Sequence, residues 1–130
     1  MKLPKGKYYI GDPSYVFRKS WDEVLKKTDY FSDSETVVFG KRIVGGSTAY
    51  GDGSYKDNYG RSYAVDSGTI AILPVSLLLK DKEMRPKEIE ADNDMHIVKM
   101  EKDFDAIAED GIFTFGDIVI NTRDTEEEDD

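Results

Sequence analysis

The sequence predicts an α+β fold, in which a curled antiparallel sheet or small barrel of about six to eight strands packs against one helix over about residues 21–29. Two observations lead to this prediction. An amphipathic segment with a helix-start signature lies near the amino terminus, and short β-branched or aromatic segments separated by Gly, Asp and Asn turns follow from Glu35 onward. We expect residues 1–121 to form a single globular domain and residues 122–130 to form a disordered acidic tail.

The helix is predicted from its start signal and its apolar spacing. Ser20 and Glu23 have the spacing of a capping box, in which each residue bonds the other's backbone amide. Trp21, Val24 and Leu25 recur at intervals of three and four residues and therefore share one helix face. Before the helix, the KYYI sequence at 7–10 predicts a strand that ends at Gly-Asp-Pro, and residues 15–17 predict a brief extended segment.

The remaining strands are predicted from β-branched and aromatic residues between turn signals. They are expected at residues 36–41, 42–44, 47–50, 54–56, 61–65, 69–73, 96–101 and 111–121. The last of these follows Asp110-Gly111, which predicts a hairpin turn, and is one strand or two strands divided at Gly116 and Asp117. The continuous apolar segment 69–73 predicts a central strand, residues 75–79 fit a short helix or a strand, and residues 80–94 predict a polar loop or a weakly helical segment.

Composition excludes several classes of chemistry. The 130-residue chain has no cysteine, which rules out disulfides, thiolate nucleophiles and thiolate-bound metals, and one histidine, His96, which rules out a multi-histidine site. No apolar segment approaches the roughly 20 residues of a membrane-spanning helix, and the amino terminus has no signal-peptide core. We therefore expect a cytoplasmic protein that uses no cofactor, and the composition favours a binding protein over an enzyme.

The net charge of −9 is unevenly distributed. Residues 122–130 carry a net charge of −5, whereas residues 1–121 carry −4. Phosphate contacts need clustered lysine and arginine, so the sequence predicts no direct binding to nucleic acid. An acidic surface instead suits a partner protein with a basic surface.

The sequence AYGDGSYKDNYGRSYAVDSG at residues 49–68 is the densest candidate site. It contains four glycines, four tyrosines and four Asp or Asn residues. Turns alone explain Gly, Asp and Asn here, because the spacing fits neither an EF-hand nor a phosphate-binding loop. Carboxylate oxygens are nevertheless ligands that Ca²⁺ and Mg²⁺ prefer, and tyrosine is common at binding surfaces. We select as candidate ligand or partner contacts Asp12, Tyr50, Asp52, Tyr55, Asp57, Tyr59 and Asp66, of which Asp52, Asp57 and Asp66 are weak metal candidates.

Three motifs resemble those of an uncharacterised family of small phage and bacterial proteins. They are G-x-Y-x-x-G-D-P at residues 6–13, G-D-G-x-Y at residues 51–55 and Y-x-V-D-[SA]-G at residues 63–68. The resemblance covers about residues 3–75 and singles out Gly11, Asp12, Pro13, Asp52, Gly53, Asp66 and Gly68 as motif positions. It implies a compact β-rich fold in a phage or prophage setting, and it implies no particular activity.

Two functions of different classes follow. The first is a non-enzymatic phage-type accessory protein that binds another protein, including as an inhibitor of a host or defence component. The second is a domain that binds a small ligand or a divalent cation, including a carboxylate-based enzyme in which Asp12 and Asp66 form an acid–base pair. A weaker third is a structural virion component.

Overall fold

The computed structural model describes residues 1–79 and 96–123. Every pair of hydrogen-bonded strands in it is antiparallel. The strands are β1 (Lys2–Leu3), β2 (Gly6–Gly11), β3 (Glu35–Val38), β4 (Lys41–Ser47), β5 (Gly53–Lys56), β6 (Ser62–Val65), β7 (Thr69–Pro74), β8 (His96–Met100), β9 (Phe104–Glu109), β10 (Ile112–Phe115) and β11 (Ile118–Asn121). The helices are α1 (Trp21–Lys27) and two 3-10 helices, Pro13–Tyr15 and Val75–Leu79.

These elements confirm an α+β fold with one α-helix. Within the described residues the strands form three separate sheets, ordered β3-β4-β7-β2-β8, β1-β9-β10-β11 and β5-β6. The barrel alternative is therefore not realised. The eleven strands exceed the predicted count of about six to eight, chiefly because β1 and β9 were not predicted.

The five-stranded sheet separates two hydrophobic clusters. Alternate side chains of β7 point to opposite faces, so Ile70 and Ile72 enter one cluster while Ala71 and Leu73 enter the other. The first cluster lies against the four-stranded sheet and the β5-β6 hairpin. The second lies against α1 and includes Val24. The prediction of a central buried strand at 69–73 is confirmed.

Helix α1 ends two residues earlier than predicted. Asp29, Tyr30 and Phe31 have φ angles of 51°, 58° and 59°, which are left-handed and cannot continue the helix. The Thr28 hydroxyl accepts the Phe31 amide hydrogen at 3.2 Å, and this turn directs the buried Phe31 ring into the second cluster. At the other end, the Ser20 side chain makes no capping hydrogen bond, so the part of the predicted capping box that Ser20 supplies is wrong.

Several local predictions were wrong for identifiable reasons. The extended segment predicted at residues 15–17 does not form, because residues 13–15 are a 3-10 helix, in which the Asp12 side chain accepts the Ser14 amide hydrogen at 2.8 Å and caps the turn. The residues predicted as a strand at 47–50 leave the sheet after Ser47. Gly45 and Gly46 lie within β4, and the close approach of β4 to β7 requires glycine at 45, since a Cβ there would lie 2.8 Å from the Cβ of Ala71.

Other predictions agree with the structure. Asp110 and Gly111 have positive φ angles of 53° and 79° and form the tight turn between β9 and β10. Residues 111–121 are divided at Gly116 and Asp117 into β10 and β11. The predictions for residues 80–94 lie outside the described residues, as does the tail from 124 onward. Thr122, which was assigned to the tail, is fully buried.

Candidate functional site

Asp57 is the first residue of the turn between β5 and β6, and its side chain organises that turn. Its side chain is buried and accepts four hydrogen bonds. Oδ1 accepts from the amides of Tyr59 at 2.8 Å and Arg61 at 3.0 Å. Oδ2 accepts from Arg61 Nε at 2.9 Å and from Tyr63 Oη at 2.7 Å. The carboxylate therefore holds its own turn, and its oxygens have little capacity left for a metal ion or a partner.

The electrostatics of this cluster follow from burial and hydrogen bonding. Burial by itself would raise the pKa of Asp57, but hydrogen bonds from Tyr63, Arg61 and Tyr59 and the nearby guanidinium outweigh burial and leave the pKa below its usual value of 3.8. Burial, together with donation to the Asp57 carboxylate, raises the pKa of Tyr63 far above its usual value of 10.0. At neutral pH the pair is therefore an ionised carboxylate and a neutral phenol.

Asp12 joins two distant segments of the chain. Its buried carboxylate accepts five hydrogen bonds, three on Oδ1 and two on Oδ2. Oδ1 bonds the amide and hydroxyl of Ser14 and the hydroxyl of Ser67, at 2.7–2.8 Å. Oδ2 bonds the amides of Asp66 at 2.7 Å and Ser67 at 2.8 Å. Asp12 thus ties the first 3-10 helix to the turn between β6 and β7.

The predicted acid–base pair of Asp12 and Asp66 has the wrong geometry. Asp12 bonds the backbone amide of Asp66, while the Asp66 carboxylate is exposed and accepts a hydrogen bond from Tyr15 Oη at 2.7 Å. The two carboxylates therefore have separate partners. A shared proton between two acids requires direct contact of their oxygens, which this arrangement does not provide.

The weak metal candidates do not form a metal site. Asp57 is saturated by internal donors, Asp66 bonds Tyr15, and Asp52 is exposed in the loop before β5. Across residues 1–79 and 96–123, no group of three or more His, Asp or Glu side chains is arranged to hold a metal ion. Within those same ranges, no helix has the length and apolar character needed to cross a membrane.

The three candidate tyrosines have different environments. Tyr55 is buried and its hydroxyl donates to the Gly51 carbonyl at 2.9 Å, so it supports the fold and does not reach a partner. Tyr50 is 61% exposed and Tyr59 is 59% exposed. The Tyr59 hydroxyl donates to Asp117 Oδ2 at 2.9 Å beside the end of β11, which raises the pKa of this phenol.

His96 has a structural position. Its Nε2 lies 2.6 Å from the Ser62 carbonyl oxygen, and its ring centroid is 4.4 Å from that of Tyr63. The imidazole thus connects β8 to the β5-β6 hairpin. Within the described chain, His96 belongs to no group of three or more His, Asp or Glu side chains that could hold a metal ion.

The outer face of the four-stranded sheet is a candidate surface that sequence reasoning missed. Ile107 on β9 lies directly opposite Thr114 on β10, which lies directly opposite Val119 on β11, so these three side chains form a row across the sheet. Ile107 is 49% exposed, although its neighbours in the strand, Ala106 and Ala108, are buried. In the FDAIAE sequence at 104–109, every second residue is apolar, and these residues are the buried ones. This alternation is the sequence signal that identifies β9.

Exposed charged side chains lie beside this row, and they include Lys2 on β1, whose Nζ lies 3.5 Å from Asp105 Oδ1. Asp105 and Glu109 are exposed on either side of Ile107, two residues away along β9 and therefore on the same face. Asp117 and Tyr59 lie together at the β11 end of the row, where Asn58 pairs with the Val119 backbone at 2.8 Å and 3.0 Å. We call this surface the β9–β11 face and define it by Asp105, Ile107, Glu109, Thr114, Asp117, Val119 and Tyr59.

These geometries divide the candidate residues into two groups. Asp12, Tyr55 and Asp57 are buried and stabilise turns, whereas Tyr50, Asp52, Tyr59 and Asp66 are exposed. Of the exposed residues, Tyr59 belongs to the β9–β11 face. Comparison of the chain with known protein families, with curated proteins and with solved structures finds no match.

Proposed function

We propose that the protein is a non-enzymatic binding module that engages a basic protein surface through its β9–β11 face. The observation that carries this proposal is the half-exposed Ile107 at the centre of a face with acidic side chains on either side. An apolar centre with a charged periphery is the usual composition of a protein–protein interface. The phage or prophage setting and the inhibition of a host or defence component belong to the same proposal and rest on the motif resemblance alone.

The charge of this face supports a basic partner. Asp105, Glu109 and Asp117 contribute carboxylates, and six of the seven residues from 124 to 130, which follow β11 in sequence, are acidic. Complementary charges accelerate association and set orientation more than they increase affinity. We therefore expect the apolar row to provide most of the affinity and the acidic groups to provide salt-dependent association.

The alternative of a cation-dependent domain receives no support from the same side chains. Asp12 and Asp57 accept five and four internal hydrogen bonds, so binding a cation there would require breaking them.

Affinity capture from a bacterial lysate tests the proposal when it is made with matched variants. Ile107→Lys places a cation in the apolar row, while Val37→Lys makes the same change at a 57% exposed site on β3, an edge strand of the other sheet. A partner retained by the wild type and by Val37→Lys, and lost with Ile107→Lys, is the expected result. Equal retention by both variants, or no partner at micromolar concentration, would contradict the proposal.

A second arm of the experiment separates the tail from the sheet. The truncation should remove residues 124–130 and keep Thr122, which is buried and bonded to Gly111 and Ala49. If the β9–β11 face is the interface, this truncated protein retains the partner and shows a weaker dependence on salt. Complete loss of the partner would assign binding to the tail and contradict the proposal.

A further inference from the structure

A groove of about 310 Å³ with a cationic lining lies between the amino-terminal segment and the start of β4. One side is formed by residues 3–8 and the other by residues 40–42. Four of its lining side chains are cationic and exposed, namely Lys5, Lys7, Lys41 and Arg42. This concentration of positive charge stands out in a chain with 18 basic and 27 acidic residues.

Internal hydrogen bonds fix both sides of the groove. The Tyr8 hydroxyl donates to the Pro4 carbonyl at 2.6 Å, and the Lys5 amide donates to Asp103 Oδ1 at 2.9 Å. Arg42 Nη1 donates to the Lys2 carbonyl at 3.1 Å, which connects the two sides directly. This bond uses one of the five N–H donors of the guanidinium. The positive groups are therefore attached to a backbone that is already ordered.

Two glycines leave room for a ligand between the cations. A Cβ added at Gly6 or Gly40 would meet no atom within 4 Å, so the space beside each backbone is open. A ligand oxygen can approach the peptide groups at these positions more closely than it can approach a residue with a side chain.

The size and chemistry of the groove together select a class of ligand. Its volume lies at the lower end of the roughly 300–1,000 Å³ of small-molecule sites, which favours a small molecule over a folded partner. Arginine binds phosphate through two parallel hydrogen bonds and lysine binds it as a point charge. We propose that this groove binds a small soluble phosphate compound of the diphosphate or phosphate-monoester class, held between Lys5 and Lys7 on one side and Lys41 and Arg42 on the other.

This site is independent of the proposed protein interface. None of the residues that define the β9–β11 face lines the groove. Substitution of Ile107 should therefore leave phosphate binding unchanged, and substitution of Arg42 should leave protein capture unchanged. The two proposals can fail separately.

The test titrates the full chain with inorganic pyrophosphate and follows backbone amide shifts by NMR. We expect saturable shifts concentrated at residues 4–8 and 40–42. The double variant Lys41→Gln/Arg42→Gln should bind about tenfold more weakly or worse, since it loses the charge-assisted hydrogen bonds of both side chains. The matched control Arg18→Gln/Lys19→Gln removes an adjacent Arg–Lys pair that does not line the groove and should change affinity by less than about twofold.

Several results would overturn the proposal. They are the absence of saturation at millimolar pyrophosphate, shifts confined to other residues, and equal affinity of the double variant and the wild type. A parallel arm uses vesicles containing an anionic phospholipid, and binding to vesicles without binding to pyrophosphate would assign the cations to a membrane surface instead. Thermal unfolding of both variants checks that each is folded, and both should be, because all four substituted side chains are exposed.

Discussion

Tyr63 donates its hydroxyl hydrogen to Asp57 Oδ2 at 2.7 Å, with both side chains buried. The bond connects the turn at 57–61 to the first hydrophobic cluster, which contains the Tyr63 ring. A residue that resembles a metal ligand in the sequence is therefore the acceptor that organises a turn. This relationship leads to the first two predictions.

Asp57→Asn should destabilise the protein by about 3 kcal/mol, because the amide cannot accept all four bonds and leaves buried donors unpaired. Chemical denaturation measures the change, and Asp52→Asn in the adjacent exposed loop serves as the control, with an expected effect within about 0.5 kcal/mol. The wild type should also lose stability in acid. Because folding lowers the pKa of Asp57, its contribution is complete above pH 3.8 and declines below that value. Equal effects of the two substitutions would contradict the structural role of Asp57.

Alkaline pH should unfold the protein through its tyrosines. Folding raises the pKa of Tyr63 above 10.0, so the contribution of this neutral phenol is complete below pH 10.0 and is lost as the pH rises beyond it. Tyr63→Phe keeps the ring and removes the titrating group, so its stability should fall less steeply above pH 10.0. Tyrosinate absorbance and circular dichroism, recorded together against pH, measure both events. Ionisation of all tyrosines at their ordinary pKa without loss of structure would refute this prediction.

Asp12→Ala should cost about 3 kcal/mol of stability, since three backbone amides and two hydroxyls lose a buried acceptor. Asp66→Ala removes an exposed carboxylate with one side-chain partner, and we expect an effect within about 0.5 kcal/mol. Urea unfolding of the two variants compares them directly. If the residues formed a functional pair, both substitutions would leave stability intact. That outcome would contradict the role of Asp12 in joining the first 3-10 helix to the turn between β6 and β7.

Removal of residues 124–130 should leave the melting temperature within a few degrees of the wild type, whereas removal of residues 122–130 should lower it clearly. The difference arises from Thr122, whose hydroxyl bonds both the Gly111 carbonyl and the Ala49 amide. Thr122→Ala in the full chain isolates that contribution, which we expect to be about 1–2 kcal/mol. Differential scanning calorimetry of the three proteins provides the measurement, and identical melting temperatures for both truncations would show that Thr122 contributes nothing.

Millimolar Ca²⁺ or Mg²⁺ should not raise the melting temperature. A ligand that binds only the folded state stabilises it in proportion to the logarithm of its concentration. The Asp12 and Asp57 carboxylates are occupied by internal donors and give such an ion no site. Thermal unfolding with each cation, and with Na⁺ at matched ionic strength as the control, measures the effect. A cation-specific rise that Asp52→Asn abolished would restore the metal hypothesis.

Local chemistry determined which parts of the fold could be predicted from the sequence. Apolar residues at 69–73 and the Asp110-Gly111 turn depend on short-range preferences, and both were predicted. Strand β9 was missed because its alternate residues are Asp105, Ile107 and Glu109, which dilute the apolar signal. Strand β1 contains two residues and exists because it pairs with Asp105 and Phe104 on β9, which no local pattern encodes.

The candidate site was harder to predict because it depends on contacts between distant residues. The sequence indicated that the acids at 12, 52, 57 and 66 serve mainly turns, and for Asp12 and Asp57 the hydrogen bonds agree. It contained no indication that Asp12 bonds Ser67, 55 positions away. The cationic groove combines residues 4–8 with residues 40–42, and only the pairing of strands between them creates that proximity.

Strand β7 lies between the two hydrophobic clusters, and this position determines how the protein unfolds. Because adjacent residues of one strand supply both clusters, neither cluster can lose β7 without exposing the other. The two clusters should therefore unfold together in one cooperative transition, and not one after the other. Amide protons of residues 70–73 should exchange with solvent only through that complete opening, which places this strand among the slowest-exchanging of the described segments.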